Sequence, residues 1–207
     1  MAANGLRTQR NDHAYFCVDD SLPFYLKMIT LDPTATSELT ARAKAISGIK
    51  DSFSCLDVDL LGLKVAFDAA WIWRETNQQS MPADWVRIKT AHDISKWHQS
   101  WMGNGSPTDK VIFPPKCLKN PNLAFFARVL GTKIEAGCIA NLSSRVVGMS
   151  NVFSANPSDP SLFEQASSAV GSFGNGRPVV GYEHGADLDA ATSAGFQTVG
   201  PLRVLIR

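Results

Sequence analysis

Between Leu63 and Trp73 the chain alternates without interruption. Leu63, Val65, Phe67, Ala69, Trp71 and Trp73 fall on one side, and Lys64, Ala66, Asp68, Ala70 and Ile72 on the other. Period two sends successive side chains to opposite faces, which predicts a strand whose apolar face packs on a core. A helical period follows: Ile94, Trp97 and Trp101 line one face after the capping-box-like start Thr90-Ala-His-Asp93. Leu162, Phe163, Ala166, Ala169, Val170 and Phe173 give a second helix its apolar face, after Asp159-Pro160 and before Gly174.

The remaining patterns fill in the order. Met1–Asp12 reads as a flexible tail. His13–Val18 and Phe24–Leu31 read as strands around Asp19-Asp20-Ser21, and Asp32-Pro33 opens a helix with Leu39, Ala43 and Ile46 on one face and Gly48 closing it. Phe53–Leu61 reads as a strand. Glu75–Met81 is polar and reads as a linker, which sets a boundary before Pro82. Trp85–Lys89 is a strand, Gly103–Pro107 a loop, and Phe113-Pro-Pro115 begins a short helical or irregular piece. Leu123–Leu130, Lys133–Leu142 and Arg145–Phe153 form an antiparallel meander with turns at Gly131-Thr132 and Ser143-Ser144. Pro178–Glu183 is a strand, Ala186–Ala194 a short helix ending at Gly195, and Gln197–Val199 with Leu202–Ile206 a final strand pair around Gly200-Pro201. The expected class is α+β: a mixed, mostly antiparallel sheet flanked by helices. Residues 1–81 form an N-terminal extension, read as a partial second copy of the fold, and residues 82–207 the main domain.

Composition narrows the function classes. With 44% hydrophobic and 19% charged residues the chain is an ordinary globular one. A net charge of +1 without basic blocks argues against nucleic acid, and no apolar run is long enough for a membrane helix. The start, Met1–Asn11, lacks the apolar stretch of a secretory leader. Cys17, Cys55, Cys117 and Cys138 are widely spaced, without metal-ligand spacing, and read as reduced thiols in a cytoplasmic protein. His92 and His98 fall on roughly opposite sides of their helix, so no metal site is expected.

The strand Arg145–Phe153, the loop Ser154–Asp159 and the helix after it make a potential anion site, because helix N-termini present N–H groups and a positive dipole end. From Trp85 onward the order of elements resembles the GNAT family of acetyl-CoA-dependent N-acetyltransferases. Val179-Val180-Gly181-Tyr182, Ala190-Ala191 with Gly195-Phe196, and Gly200–Val204 look like its fifth strand, fourth helix and last strand. The resemblance implies transfer of an acetyl or acyl group from coenzyme A to a primary amine on a small molecule or peptide. It implies that backbone groups of Asn151, Val152 and Phe153, with Ser150 beside them, hold the pantetheine arm. Ser158 and Ser161 would lie near the pyrophosphate, in positions that equally suit turn residues. Two departures stand out. The stretch Asn156-Pro-Ser-Asp-Pro-Ser161 has no glycine where the family has a Gly-rich loop, and Ala191 stands where many members have a catalytic Tyr.

Tyr182, Glu183 and His184 end the Pro178–Glu183 strand. Glu183 or His184 suits a general base and Tyr182 an acid; the bland alternative is a strand end entering a polar helix cap. Ser150 and Asn151 either meet a substrate or satisfy a strand bulge. Trp71, Trp73, Trp97 and Trp101 are assigned to the core rather than to an aromatic platform. Two functions remain: a GNAT-like acyltransferase, or a non-catalytic binding or interaction protein of the same fold. Homodimerisation is left open.

Overall fold

A computed structural model describes residues 5–19, 22–34, 37–46, 48–76 and 80–207. Residues 20 and 21 of the expected turn, and 77–79 of the expected linker, lie outside the described residues. The protein divides into two compact units: Met1–Trp71 with Tyr182–Leu188 and Thr198–Arg207, and Ile72–Gly181 with Asp189–Gln197.

The first unit holds β1 (Thr8–Arg10), β2 (Ala14–Cys17), β3 (Met28–Thr30), α1 (Ser37–Lys44), β4 (Gly48–Asp51), α2 (Val58–Leu61), most of β5 (Lys64–Arg74) and nearly all of β11 (Gln197–Ile206). Its strands run in the order β1-β2-β3-β4-β11-β5. The β3/β4 pair is parallel, and β1/β2, β2/β3 and β4/β11 are antiparallel. Ala14, Phe16, Met28, Ile49, Leu56, Leu61 and Leu205 form its core. At its centre the fully buried Asp51 accepts from the amides of Cys55 (3.3 Å) and Leu56 (3.1 Å), and pairs with Arg203 at 2.8 Å. A buried carboxylate is tolerable only when its lone pairs are satisfied in this way.

Several expectations for this unit change. Part of the expected tail pairs as β1 with Tyr15–Cys17. Asp32 does not cap a helix but accepts from the Thr34 amide in a turn, and α1 begins later, at Ser37. Gly48 opens β4 instead of closing the helix; a Cβ there would stand 2.6 Å from a terminal methyl of Leu26, which would have to turn aside. Phe53–Leu61 is not a strand. Asp57 caps the short α2 through the Leu60 amide, and Gly62 closes it at φ 62°. The final strand pair is one strand, β11. Pro201 lies outside the β4 ladder at Arg203–Ile206, so its missing N–H removes no bond from that ladder.

The second unit holds β6 (Trp85–Arg87), α3 (Ala91–Gly103), a 3-10 helix (Pro115–Lys119), β7 (Leu123–Leu130), β8 (Lys133–Leu142), β9 (Val147–Ser154), α4 (Leu162–Gly174) and the start of β10 (Val179–Glu183). The helix α5 (Gly185–Ser193) ends in it. The strand order is β10-β9-β8-β7-β6, antiparallel except for β9/β10. The expected meander is present, with β7 and β8 at the expected residues. Thr90 caps α3 through the Asp93 amide at 3.1 Å. Ile94, Trp97 and Trp101 are buried, and His98 accepts from the Ile112 amide at 3.2 Å, tying the following loop to α3. Burial holds His98 below its ordinary pKa, as expected for a ring kept neutral to accept that bond. Among the described residues no helix is long and apolar enough to cross a membrane.

The alternation of β5 is confirmed, but its faces are used differently. Ala70 and Ile72 are buried, whereas Phe67, Trp71 and Trp73 are only half-buried and Val65 is 42% exposed. The apolar stripe is therefore not simply the core side of the strand, and Trp71 and Trp73 leave the core group that Trp97 and Trp101 belong to.

Trp97 donates to the Phe126 carbonyl at 2.8 Å and meets Phe113, Phe125 and Phe153 edge to face at 5.1–5.5 Å. Gly137 makes this possible. A Cβ there would lie 2.6 Å from Trp97 Nε1, 2.7 Å from the Phe153 ring and 2.8 Å from the Phe126 carbonyl oxygen. Gly137→Ala should cost about 2 kcal/mol or more by overpacking, read as a lowered urea midpoint; an unchanged midpoint would show that the cluster has slack.

Candidate functional site

In the second unit, β9 carries an irregularity that matters. Gly137 pairs with Phe153 and Ile139 with Ser150, so β9 holds one residue more than β8 between these pairs. The extra residue is absorbed at Asn151, at φ 52°, a left-handed conformation that asparagine tolerates better than branched residues do. Asn151 Nδ2 donates to Ser150 Oγ at 3.1 Å. The parallel β9/β10 ladder has two pairs, Val147 with Val179 and Gly148 with Val180, and Ser150–Phe153 lie beyond it. A bulge at the end of a short ladder frees strand backbone for an external partner. Of the four expected cofactor contacts here, Ser150, Asn151 and Val152 are half-buried. The Phe153 side chain is buried on Trp97 and leaves only its backbone to serve a ligand.

The following loop does not have the form of a diphosphate cradle. The helix begins at Leu162 rather than at Pro160, and its N-cap residue is Ser161, not Asp159. Asp159 accepts from the Ser161 amide (2.9 Å) and hydroxyl (2.7 Å) and pairs with Arg128 at 2.6 Å. Arg128 and Trp85 Nε1 also both donate to Gln165 Oε1, at 3.1 and 2.9 Å. Burial alone would raise the Asp159 carboxyl, but the bonds from Ser161 and Arg128 outweigh it and hold the group below the usual carboxylate range. Ser161 is thus engaged within the loop. Ser158 is exposed, its amide donating to Asn156 Oδ1 at 3.1 Å. The loop's own carboxylate takes the donors that a phosphate would use. Ala191 has no ionisable group, so its position offers no acid, and it is fully buried.

The three expected catalytic residues lie in the first unit, at the end of β10. The Tyr182 ring meets Trp71 edge to face at 5.6 Å, and Lys50 Nζ sits 4.0 Å over it. Exposed His184 stacks on Phe67 at 4.3 Å. Glu183 is half-buried. Burial pushes its carboxyl up to about 8, the Asp187 carboxylate adds to the rise, and the Lys50 ammonium opposes it. Sequence reasoning missed Lys50, Asp187 and Phe67 and assigned Trp71 to the core. Asp187 had a visible signal, four residues after Glu183. Lys50 had none, because nothing in its local pattern ties β4 to β10. Among the described residues no group of three or more His, Cys, Asp or Glu could hold a metal ion.

Similar solved structures carry the same architecture. They include a functionally unknown conserved protein from Staphylococcus epidermidis (9% identical, TM-score 0.67, covering 98% of this chain and 94% of that one). A GCN5-related N-acetyltransferase from Kribbella flavida is 9% identical, with TM-score 0.65 over 97% and 89% of the two chains. A putative acetyltransferase of the GNAT family from Novosphingobium aromaticivorans is 10% identical, with TM-score 0.63 over 100% and 93%. No protein-family profile and no curated protein matches the chain. The fold is α+β of the GNAT acyltransferase kind, with a largely antiparallel sheet flanked by helices; at these identities the likeness establishes fold.

Two stability predictions follow from the charged groups. Asp159→Ala leaves Arg128 with its bond to Gln165 but without the carboxylate it pairs with, and should lower stability by about 3 kcal/mol at neutral pH. The deficit should shrink as pH falls through the depressed Asp159 pKa, where the wild-type carboxylate also loses its charge; a deficit independent of pH would overturn the pairing. Glu183 has the opposite sign. Its folded pKa of about 8 exceeds the unfolded 4.5, so its contribution is full below pH 4.5 and is lost as pH rises to about 8. Glu183→Gln should therefore gain on wild type over that window in thermal melts, and curves that stay parallel would refute the buried carboxyl.

Proposed function

We propose that this protein is a GNAT-like acyltransferase that moves an acetyl or acyl group from coenzyme A to a primary amine. The observation that carries this reading is the GNAT-kind fold with Tyr182 and the half-buried Glu183 side by side at the end of β10, where burial pushes the Glu183 carboxyl up to about 8. A carboxylate of that affinity takes a proton from an ammonium group far better than an ordinary solvated one, and efficiency peaks when the base is poised near working pH. The bound thioester would supply the activated acyl group. Glu183 would accept the proton of the amine as its nitrogen bonds to the acyl carbon, and Tyr182 would protonate the thiolate that leaves. His184, exposed and stacked on Phe67, is the weaker candidate for the base.

The residues of this chain fit a coenzyme unevenly. The bulge at Asn151 and the backbone of Ser150–Phe153 suit the amide groups of a pantetheine arm. The segment 156–161 suits a diphosphate poorly, since Asp159 and Pro160 stand where bare amides are wanted. A cytoplasmic location goes with the reading, as all four cysteines are free thiols.

The Asp159–Arg128 pair and the buried Ala191 favour a second reading, a GNAT-fold protein that binds a ligand or partner without catalysis. Thermal melting with and without acetyl-CoA, followed by an amine panel, separates the two. A ligand at a hundred times its dissociation constant adds about 2.7 kcal/mol, a readable rise in midpoint. A rise with turnover supports the transferase. No rise at millimolar acetyl-CoA removes it, and a rise without turnover leaves the second reading.

A further inference from the structure

The loop after α3 is anchored at its far end by a side chain of that helix. Asn104 leaves the helix with its amide on the Trp101 carbonyl at 3.2 Å, and Gly105, Pro107, Asp109, Lys110 and Val111 are exposed. The chain returns at Ile112, which is fully buried and donates its amide to His98 Nε2 at 3.2 Å. His98 is itself buried, with the Trp101 ring at 5.6 Å and the Phe113 ring at 5.9 Å. Only a neutral imidazole with its proton on Nδ1 accepts such a bond. A cavity of about 260 Å³ reaches the ring between Ser95, Gln99 and Met102 of the helix and Asp109, Lys110 and Val111 of the loop, and gives solvent protons a way in.

Protonation makes Nε2 a donor aimed at the Ile112 N–H, so a buried amide loses its acceptor beside a buried charge. Asp109 and Lys110, which share the cavity, pair with each other at 3.9 Å. Of the elements packed on α3, the 3-10 helix carries Lys116, Cys117 and Lys119, and β8 carries Lys133, Glu135 and Cys138. The helix itself carries His92, Asp93 and Lys96, with Asp93 bonded to Thr90. Burial, rather than any of these charges, sets the affinity of the ring and holds it below the ordinary value of 6.5. We propose that His98 is an acid-released latch: neutral, it holds the loop on α3 through the Ile112 amide, and protonated, it lets the loop go and withdraws Phe113 from Trp97. Phe113 is one of three phenylalanines closed on Trp97, and Phe153 of β9 is another, so release loosens the packing beside the Asn151 bulge. The latch stands independently of the acyl-transfer reading.

The sign follows from linkage. The open loop binds the proton more tightly than the closed one, so the latch is at full strength above about pH 6.5 and weakens as pH falls below it. The test follows the His98 ring and the exchange protection of the Ile112 amide by NMR on the full chain, from about pH 8 to about pH 5. Amides of the β7/β8 ladder serve as the reference for global opening. Ile112 protection should fall about tenfold for each unit by which closure lowers the His98 pKa, with its midpoint on the ring's own titration, while the ladder keeps its protection. His98→Gln should make Ile112 protection independent of pH, and His92→Gln should leave the wild-type response intact. A ring that stays neutral to about pH 5, or Ile112 protection that holds while the ring titrates, overturns the latch. So does a fall that persists in His98→Gln or disappears in His92→Gln. Should His98→Gln fail to fold, the two wild-type midpoints decide: coincident midpoints support the latch and separate ones overturn it.

Discussion

The second unit is arranged around Trp97. Its indole bonds the Phe126 carbonyl at 2.8 Å while three phenylalanine rings close on it edge to face. One of those rings, Phe153, belongs to β9, so the packing of α3 fixes where β9 must come back into register with β8. The glycine at 137 lets the indole and that ring approach the β8 backbone. With Phe153 held there and Ser150 paired to Ile139, the surplus residue between them has nowhere to go but into the bulge at Asn151. A buried aromatic contact thus shapes a strand irregularity several residues away, and with it the backbone of the candidate coenzyme site.

Electrostatics treats two carboxylates of the chain, one in each unit, differently. Asp159 is satisfied by Ser161 and Arg128 and keeps its charge, whereas Glu183 is crowded, has another carboxylate as a neighbour and retains its proton to about pH 8. The same side-chain chemistry becomes a charged structural anchor in one environment and a readily protonated group in the other. The loop at 156–161 satisfies its own carboxylate, whereas the end of β10 crowds one. That contrast is why the reading as an acyltransferase and the reading as a non-catalytic relative both have observations behind them.

Local pattern carried much of the fold. The period-two run of β5, the capped α3, the meander of β7, β8 and β9 and the helix α4 are all legible because each buries a regular face or ends on a residue with fixed backbone chemistry, such as Thr90 at its cap. The pattern misled where a short-range signal competed with a long-range one. Phe53–Leu61 is apolar enough for a strand, but Asp51, Asp57 and Gly62 fold it into turns and a short helix. Gly48 looked like a helix stop and instead opens β4, with the Leu26 side chain packed against it. Among the site residues, Tyr182, Glu183 and His184 were visible as a cluster at a strand end, and Ser150 and Asn151 as polar interruptions of an apolar strand.

The sequence by itself determined most elements of the second unit, the class of fold and the absence of glycine from the loop before α4, since periodicity, caps and missing residue types are properties of neighbours along the chain. Tertiary structure decided what those residues do. It turned the stripe of Phe67 and Trp71 toward Tyr182 and His184 instead of leaving it all in the core, and it brought Lys50 over the Tyr182 ring. It also gave Glu183 its raised proton affinity. Burial, charge pairing and ring contacts depend on residues more than a hundred positions apart, and no local pattern encodes them.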